Sequence, residues 1–153
     1  IAEGAFAEAR NYTHTQARLW PASPAAEVTE DLYVLRHYGE FWVALEGARK
    51  LADHAVHLFD AAWNEGASLT EAARGDVAVA VATAKMAATR AGLDLTSRMF
   101  EVTGARSTTA ALRLDRYWRN LRVHTLHDPA DYKLRDLGNW ALNGRHPAPS
   151  FYS

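Results

Sequence analysis

Between Ser68 and Gly104 the chain offers one long helix-forming run and little else. Ser68 and Glu71 make the Ser-x-x-Glu pattern of a capping box, and Gly104 suits the position just past a helix end. The spacing predicts a helix up to about Thr103, roughly 50 Å long at about 1.5 Å per residue. Its middle, "DVAVAVATAKMAA", is apolar nearly all round. Alternating Val and Ala also suits a strand, but the length, the alanines and the cap favour a buried helix. A helix apolar on every side needs neighbours on several sides, so the rest of the chain must supply helices to surround it.

The remaining pattern does so. A first helix is expected from about Ala2 to Trp20, broken by Pro21 and the loop "PASPAAEVT". A second runs from about Glu30 to Glu65. Leu35, Tyr38, Trp42, Leu45, Ala48, Ala52, Ala55, Phe59 and Ala62 fall on one face at three- and four-residue steps, and Gly66 stops it. A fourth helix starts after "GARST" and carries "TAALRLDRYWRNLRVHTL". Asp128 as N-cap, Pro129 at N1 and Asp131 at N3 then open a short fifth helix to about Leu142, stopped by Asn143-Gly144. The tail "RHPAPSFYS" is Pro-rich and aromatic, either loose or draped over a surface. The fold class is all-α: an antiparallel four-helix bundle with a short extra C-terminal helix, residues 1–153 forming a single domain.

Composition narrows the function classes. A formal net charge of −1 gives no global field favouring nucleic acid or an anionic membrane. The absence of cysteine removes disulfides, thiolate nucleophiles and Cys-ligated zinc, and fits a reducing compartment such as the cytoplasm. No run reaches the roughly 18 apolar residues of a membrane span. The N-terminus lacks the pattern of a secretory signal. It opens on Ile1 rather than Met and enters a helical pattern at once, as expected of a piece of a longer chain.

Four groups of residues could carry chemistry. Arg113, Arg116, Arg119 and Arg122 form a stripe along the fourth helix. This is either a solvated face paired with Asp115 and Asp136 or a surface for an anion or another subunit. His124 and His127 stand three apart beside Asp128. Their spacing alone is weak support for a metal, whereas one imidazole acting in proton transfer is the stronger alternative to a structural histidine. Arg18, with His14 one turn before it, ends the first helix, and "EVTGAR" places Gly104, Ala105 and Arg106 between two helices. These last two suit an anion, though an ordinary surface pair explains Arg18 and His14, and chain reversal explains the glycine equally well. No phosphate-loop, dinucleotide-fold, nucleophile-elbow or zinc-protease motif is present.

The runs "FEVTGAR", "LDRYWRNLRVHTLHDP" and "EARNYTHTQARLWP" resemble the C-terminal helical domain of the acyl-CoA dehydrogenase superfamily. More narrowly, they are similar to the flavin-dependent monooxygenase branch typified by dibenzothiophene monooxygenase. The resemblance covers essentially the whole chain. It implies a flavin, FMN or alternatively FAD, between this bundle and a middle domain, and a homotetramer built through the bundles. It also implies a separate flavin reductase and a small organic substrate oxygenated at sulfur or nitrogen. By the same resemblance Arg18 meets the flavin phosphate, and the loop from Trp20 to Thr29 borders the active-site mouth. Gly104, Ala105 and Arg106 stand where the dehydrogenases place a Gly-Gly turn against a neighbouring subunit's flavin. Asp128 stands where many of those dehydrogenases carry their catalytic Glu, but a carboxylate used as an N-cap is a poor base. The resemblance therefore implies His127 as the catalytic group near the reactive edge of the flavin, with His124 and Asp128 supporting it. The alternatives are an FAD-dependent acyl-CoA dehydrogenase using Asp128 as base, and a purely structural assembly domain.

Overall fold

The computed structural model describes residues 1–151, so Tyr152 and Ser153 at the end of the tail lie outside the described residues. The described residues form helices and no strand: α1 (Ala2–Thr15), α2 (Leu32–Glu65), α3 (Glu71–Thr103), α4 (Asp115–Leu126) and α5 (Ala130–Asn143). The chain adopts the all-α bundle class that its periodicity implies. It packs as two compact units, Ile1–Leu45 with Arg90–His124, and Glu46–Thr89 with Thr125–Ser153.

The core of the first unit is Ala5, Ala9, Phe41, Leu45, Leu95, Met99, Val102 and Leu114. Phe41 is 2% exposed, whereas Leu35, Trp42 and Phe59 of the expected apolar face are each about half exposed. Leu45, Ala48 and Ala55 of that face are buried as expected, and the polar-looking "HYGEF" turn adds Phe41, an aromatic that belongs inside. Arg98 of α3 fastens α2 in this unit. Its guanidinium donates to Glu40 at 2.6 Å and to His37 Nδ1 at 2.8 Å, and lies 5.4 Å from the centre of the Phe41 ring. The hydrogen bond from Arg98 holds the Glu40 carboxyl below its ordinary range, and the bond from Arg36 adds to it. In the second unit a smaller core joins Ala55, Ala80 and Ala84, with Leu51 and Leu58 packed against it.

Several helix ends differ from expectation. α1 stops at Thr15, five residues before Trp20. Its last turn is rich in weak helix formers (Asn11, Tyr12, Thr13, Thr15), and the freed segment runs on toward the loop. α2 is capped by Asp31, whose Oδ1 accepts from the Tyr33 and Val34 N–H groups at 2.9 and 3.1 Å. The capping box at Ser68 does not form. Ser68 ends a 3-10 turn and donates to the Glu65 carbonyl, and Thr70 caps α3 by accepting from the Ala73 N–H at 3.1 Å. Nor does Asp128 cap α5. Pro129, extended at ψ 129°, is the N-cap, and the helix begins at Ala130 without a side-chain cap. The Asp128 carboxylate is instead taken by lysines. Gly144 does end α5, left-handed at φ 65°.

Candidate functional site

A cavity of about 1020 Å³ lies wholly in the first unit. One wall is the segment 16–25 that α1 releases; another is the α3 end with Gly104, Ala105 and Arg106. The structure therefore brings together all four residues expected to hold a cofactor: Arg18, Gly104, Ala105 and Arg106 line the same cavity and are exposed. Among the described residues neither Arg18 nor Arg106 is paired with a carboxylate. Arg36, on the same cavity, pairs with Glu40 at 2.9 Å. Two uncommitted guanidiniums facing one space are a donor set for a phosphate or carboxylate.

Both walls are held by hydroxyl groups. Ser107 is fully buried; its Oγ donates to the Gly104 carbonyl at 2.7 Å and shares a 2.7 Å bond with Thr103 Oγ1. This relay fixes the turn in which Gly104 takes φ 77°, a left-handed conformation that favours glycine. A Cβ at Gly104 would meet nothing within 4 Å, so the cavity side of that turn is open. On the other wall Ser23 donates to Asp31 Oδ2 at 2.5 Å, tying the loop to the start of α2. That bond and the Val34 N–H hold the Asp31 carboxyl below its ordinary range, although burial opposes them. His37 and Glu101 complete the rim, with His37 Nδ1 3.2 Å from Glu101. Since guanidinium only donates, the bond from Arg98 makes His37 Nδ1 an acceptor.

The three catalytic candidates are placed differently. His124, in the last turn of α4, is exposed and does not line the 1020 Å³ cavity. His127 follows α4 in the turn before α5 and is also exposed. Asp128 lines another cavity, of about 380 Å³ in the second unit, together with Lys85 and Lys133. Lys85 is bonded to its carboxylate and Lys133 lies 3.5 Å from it. Burial alone would raise the Asp128 carboxyl, but the bond from Lys85 and the charge of Lys133 outweigh it and lower it. Asp128 is a weak base for this reason rather than through capping.

The arginine stripe is broken. Arg113 precedes α4 with φ 54°, Arg116 lies against the Tyr117 ring, and Arg119 pairs with Asp115 at 3.3 Å. Asp136 pairs with its neighbour Arg135, not with the stripe. Sequence reasoning missed Ser107, Asp31, Ser23 and Lys85. A lone Lys within an Ala/Val run was the one visible signal among them.

A helical bundle with an arginine-lined cavity at a helix–loop junction is the class that the fold and the site define. The chain belongs to the family described as acyl-CoA dehydrogenase, C-terminal domain, which it matches over residues 1–132. Within that family it resembles the dibenzothiophene monooxygenase branch. It is 61% identical over 153 residues to a probable FMNH2-dependent monooxygenase, SfnC, of Pseudomonas putida, covering all of this chain and 39% of that protein. Methanesulfinate monooxygenase MsuC from Pseudomonas fluorescens superposes with a TM-score of 0.97 at 62% identity, covering 99% of this chain and 39% of that one. FMN-bound TdsC from Paenibacillus sp. A11-2, a dibenzothiophene monooxygenase, superposes with a TM-score of 0.95 at 43% identity over 99% of this chain and 38% of that one. The chain thus spans about two fifths of the length of these relatives. Among the described residues no helix is long and apolar enough to cross a membrane.

Proposed function

We propose that residues 1–153 serve as the C-terminal flavin-binding and assembly domain of a longer, two-component FMN-dependent monooxygenase. The enzyme receives reduced FMN from a separate reductase in the cytoplasm and oxygenates sulfur or nitrogen in a small organic substrate. The observation that carries this reading is the convergence of Arg18 and Arg106 on one cavity, next to an open left-handed glycine. That donor set fits the phosphate of FMN, and the FMN-bound relative supports FMN over FAD.

Bound FMN, once reduced, supplies the reaction with O₂. The chain's own part is to hold and orient it. Arg18 and Arg106 grip the phosphate, while the Ser107–Gly104 relay and the Ser23–Asp31 bond keep those two walls in place. His127, exposed in the α4–α5 turn, handles a proton near the reactive edge, with His124 one turn before it. Asp128, tied to two lysines, is a poor base for abstracting a carbon-bound proton, which supports oxygenation over acyl-CoA dehydrogenation. The apolar surface left on α2, including Trp42 and Trp63, supports assembly into a homotetramer through this domain.

The test is FMN affinity of the full-length enzyme. Arg18→Ala and Arg106→Ala should each weaken binding about tenfold or more, the cost of one charge-assisted hydrogen bond. Unchanged affinity in both variants would remove the phosphate assignment.

A further inference from the structure

The turn between α4 and α5 carries His127, yet nothing in the side chain of His127 holds it there. Its imidazole is exposed and has no hydrogen-bond or ion-pair partner among the described residues. Its placement therefore depends on the backbone of residues 127–129. Pro129 fixes one torsion of that turn at φ −61°. Asp128 supplies the rest.

Lys85, in the middle of α3, reaches Asp128 twice. Its Nζ donates to the Asp128 main-chain carbonyl at 3.0 Å and also to the Asp128 carboxylate. Lys133, in the first turn of α5, lies 3.5 Å from the same carboxylate oxygen. Lys133 is only 8% exposed, and a cation so buried requires an anion beside it. The other anion on this cavity, Asp136, is taken by Arg135 at 2.8 Å. Asp128 is thus a counter-ion that Lys85 and Lys133 share, and moving it would break the Lys85 contacts to both its carbonyl and its carboxylate. This also accounts for a lysine in the apolar run "VATAKMAA".

We infer that Lys85 is a positioning residue: by gripping both the carbonyl and the carboxylate of Asp128 it holds the 127–129 turn in the arrangement that presents His127. The inference rests on the role given to His127 above, and its test keeps the two apart. In the full-length enzyme, Lys85→Met, His127→Ala and the double variant are compared for kcat, KM and FMN affinity. The rate at which diethyl pyrocarbonate modifies His127 is followed by mass spectrometry, with His124 as internal reference.

Lys85→Met should lower kcat by about 10- to 100-fold, as misplacement of a reacting group does. KM and FMN affinity should stay within about twofold. The double variant should be no slower than His127→Ala, and the His127 modification rate should change severalfold while that of His124 does not. Lys85→Arg, which keeps a charged donor, should restore part of the rate. Additive losses in the double variant, or an unchanged His127 modification rate, would overturn the clamp. Full activity of His127→Ala would instead sink the role of His127 and leave the modification rates to decide the clamp alone. Should Lys85→Met not fold, Lys85→Gln, a donor too short to span both oxygens, replaces it in the same cycle.

Discussion

Asp31 does three things with one carboxylate: it caps α2 through two backbone N–H groups, accepts from Ser23, and thereby fixes the loop that walls the large cavity. Removing a cap costs about 1 kcal/mol, which in a chain of this size lowers Tm by roughly 2–4 °C. Asp31→Ala should show that loss by circular dichroism at neutral pH. The sign of its pH dependence follows from the lowered carboxyl. Below the ordinary aspartate range, about pH 4, the unfolded chain takes up a proton that the folded chain resists, so stability falls with pH there. The gap between wild type and Asp31→Ala should therefore narrow as pH drops through that range and close once the folded carboxyl is protonated. A gap that is constant from neutral to acid pH would mean the carboxylate's charge is not what stabilises the cap.

At the scale of elements, the C-terminal strap shows how little a helix can yield to a neighbour. Beyond α5, His146 stacks on Trp140 with ring centroids 4.2 Å apart, and its Nε2 lies 2.9 Å from Asp76. It sits directly over Gly75 of α3, where a Cβ would collide with the imidazole ring. Gly75→Ala sets two effects against each other. Alanine improves the helix by roughly 1 kcal/mol, while loss of the stack costs about 0.5–1.5 kcal/mol. Tm should hardly move, and the readout must be local: trypsin cleavage after Arg145 should accelerate several-fold. Unchanged cleavage would mean that His146 does not hold the strap. Nothing local in the sequence explains a glycine at position 75 inside a helix, because its reason lies on a residue 71 positions away. The same limit explains the other misses. Helices and their glycine stops follow from period and from φ, which neighbours in sequence decide. Asp128 was expected to cap because Asp-Pro is a good local start, but two lysines, one of them on α3, compete for its carboxylate more strongly than free N–H groups do. The motif resemblance singled out Gly104, Ala105 and Arg106, which line the cavity, whereas Ser107, which holds that wall, is one serine among several until its burial is known.

For the whole molecule the question is what covers α2. In the first unit it leaves Leu32, Tyr33 and Val43 more than 70% exposed, and in the second Trp63 is 76% exposed with Phe59 stacked on it, ring centroids 6.1 Å apart. Side chains of this size gain about 1.5–3 kcal/mol each on full burial, enough for a few of them to hold subunits together against the entropy of association. Further copies of the chain are the occupants proposed above. A charge placed in either group of side chains would, on assembly, have to be buried without a partner, which costs several kcal/mol. Trp63→Asp combined with Val43→Asp should therefore convert the proposed full-length tetramer into smaller species in sedimentation velocity. Because Arg18, Arg106 and the turns that hold them are untouched, any FMN affinity that one subunit owns by itself should survive in those smaller species. If affinity falls with assembly, the phosphate site is shared between subunits. If the tetramer persists with both aspartates in place, α2 is covered by something other than another copy.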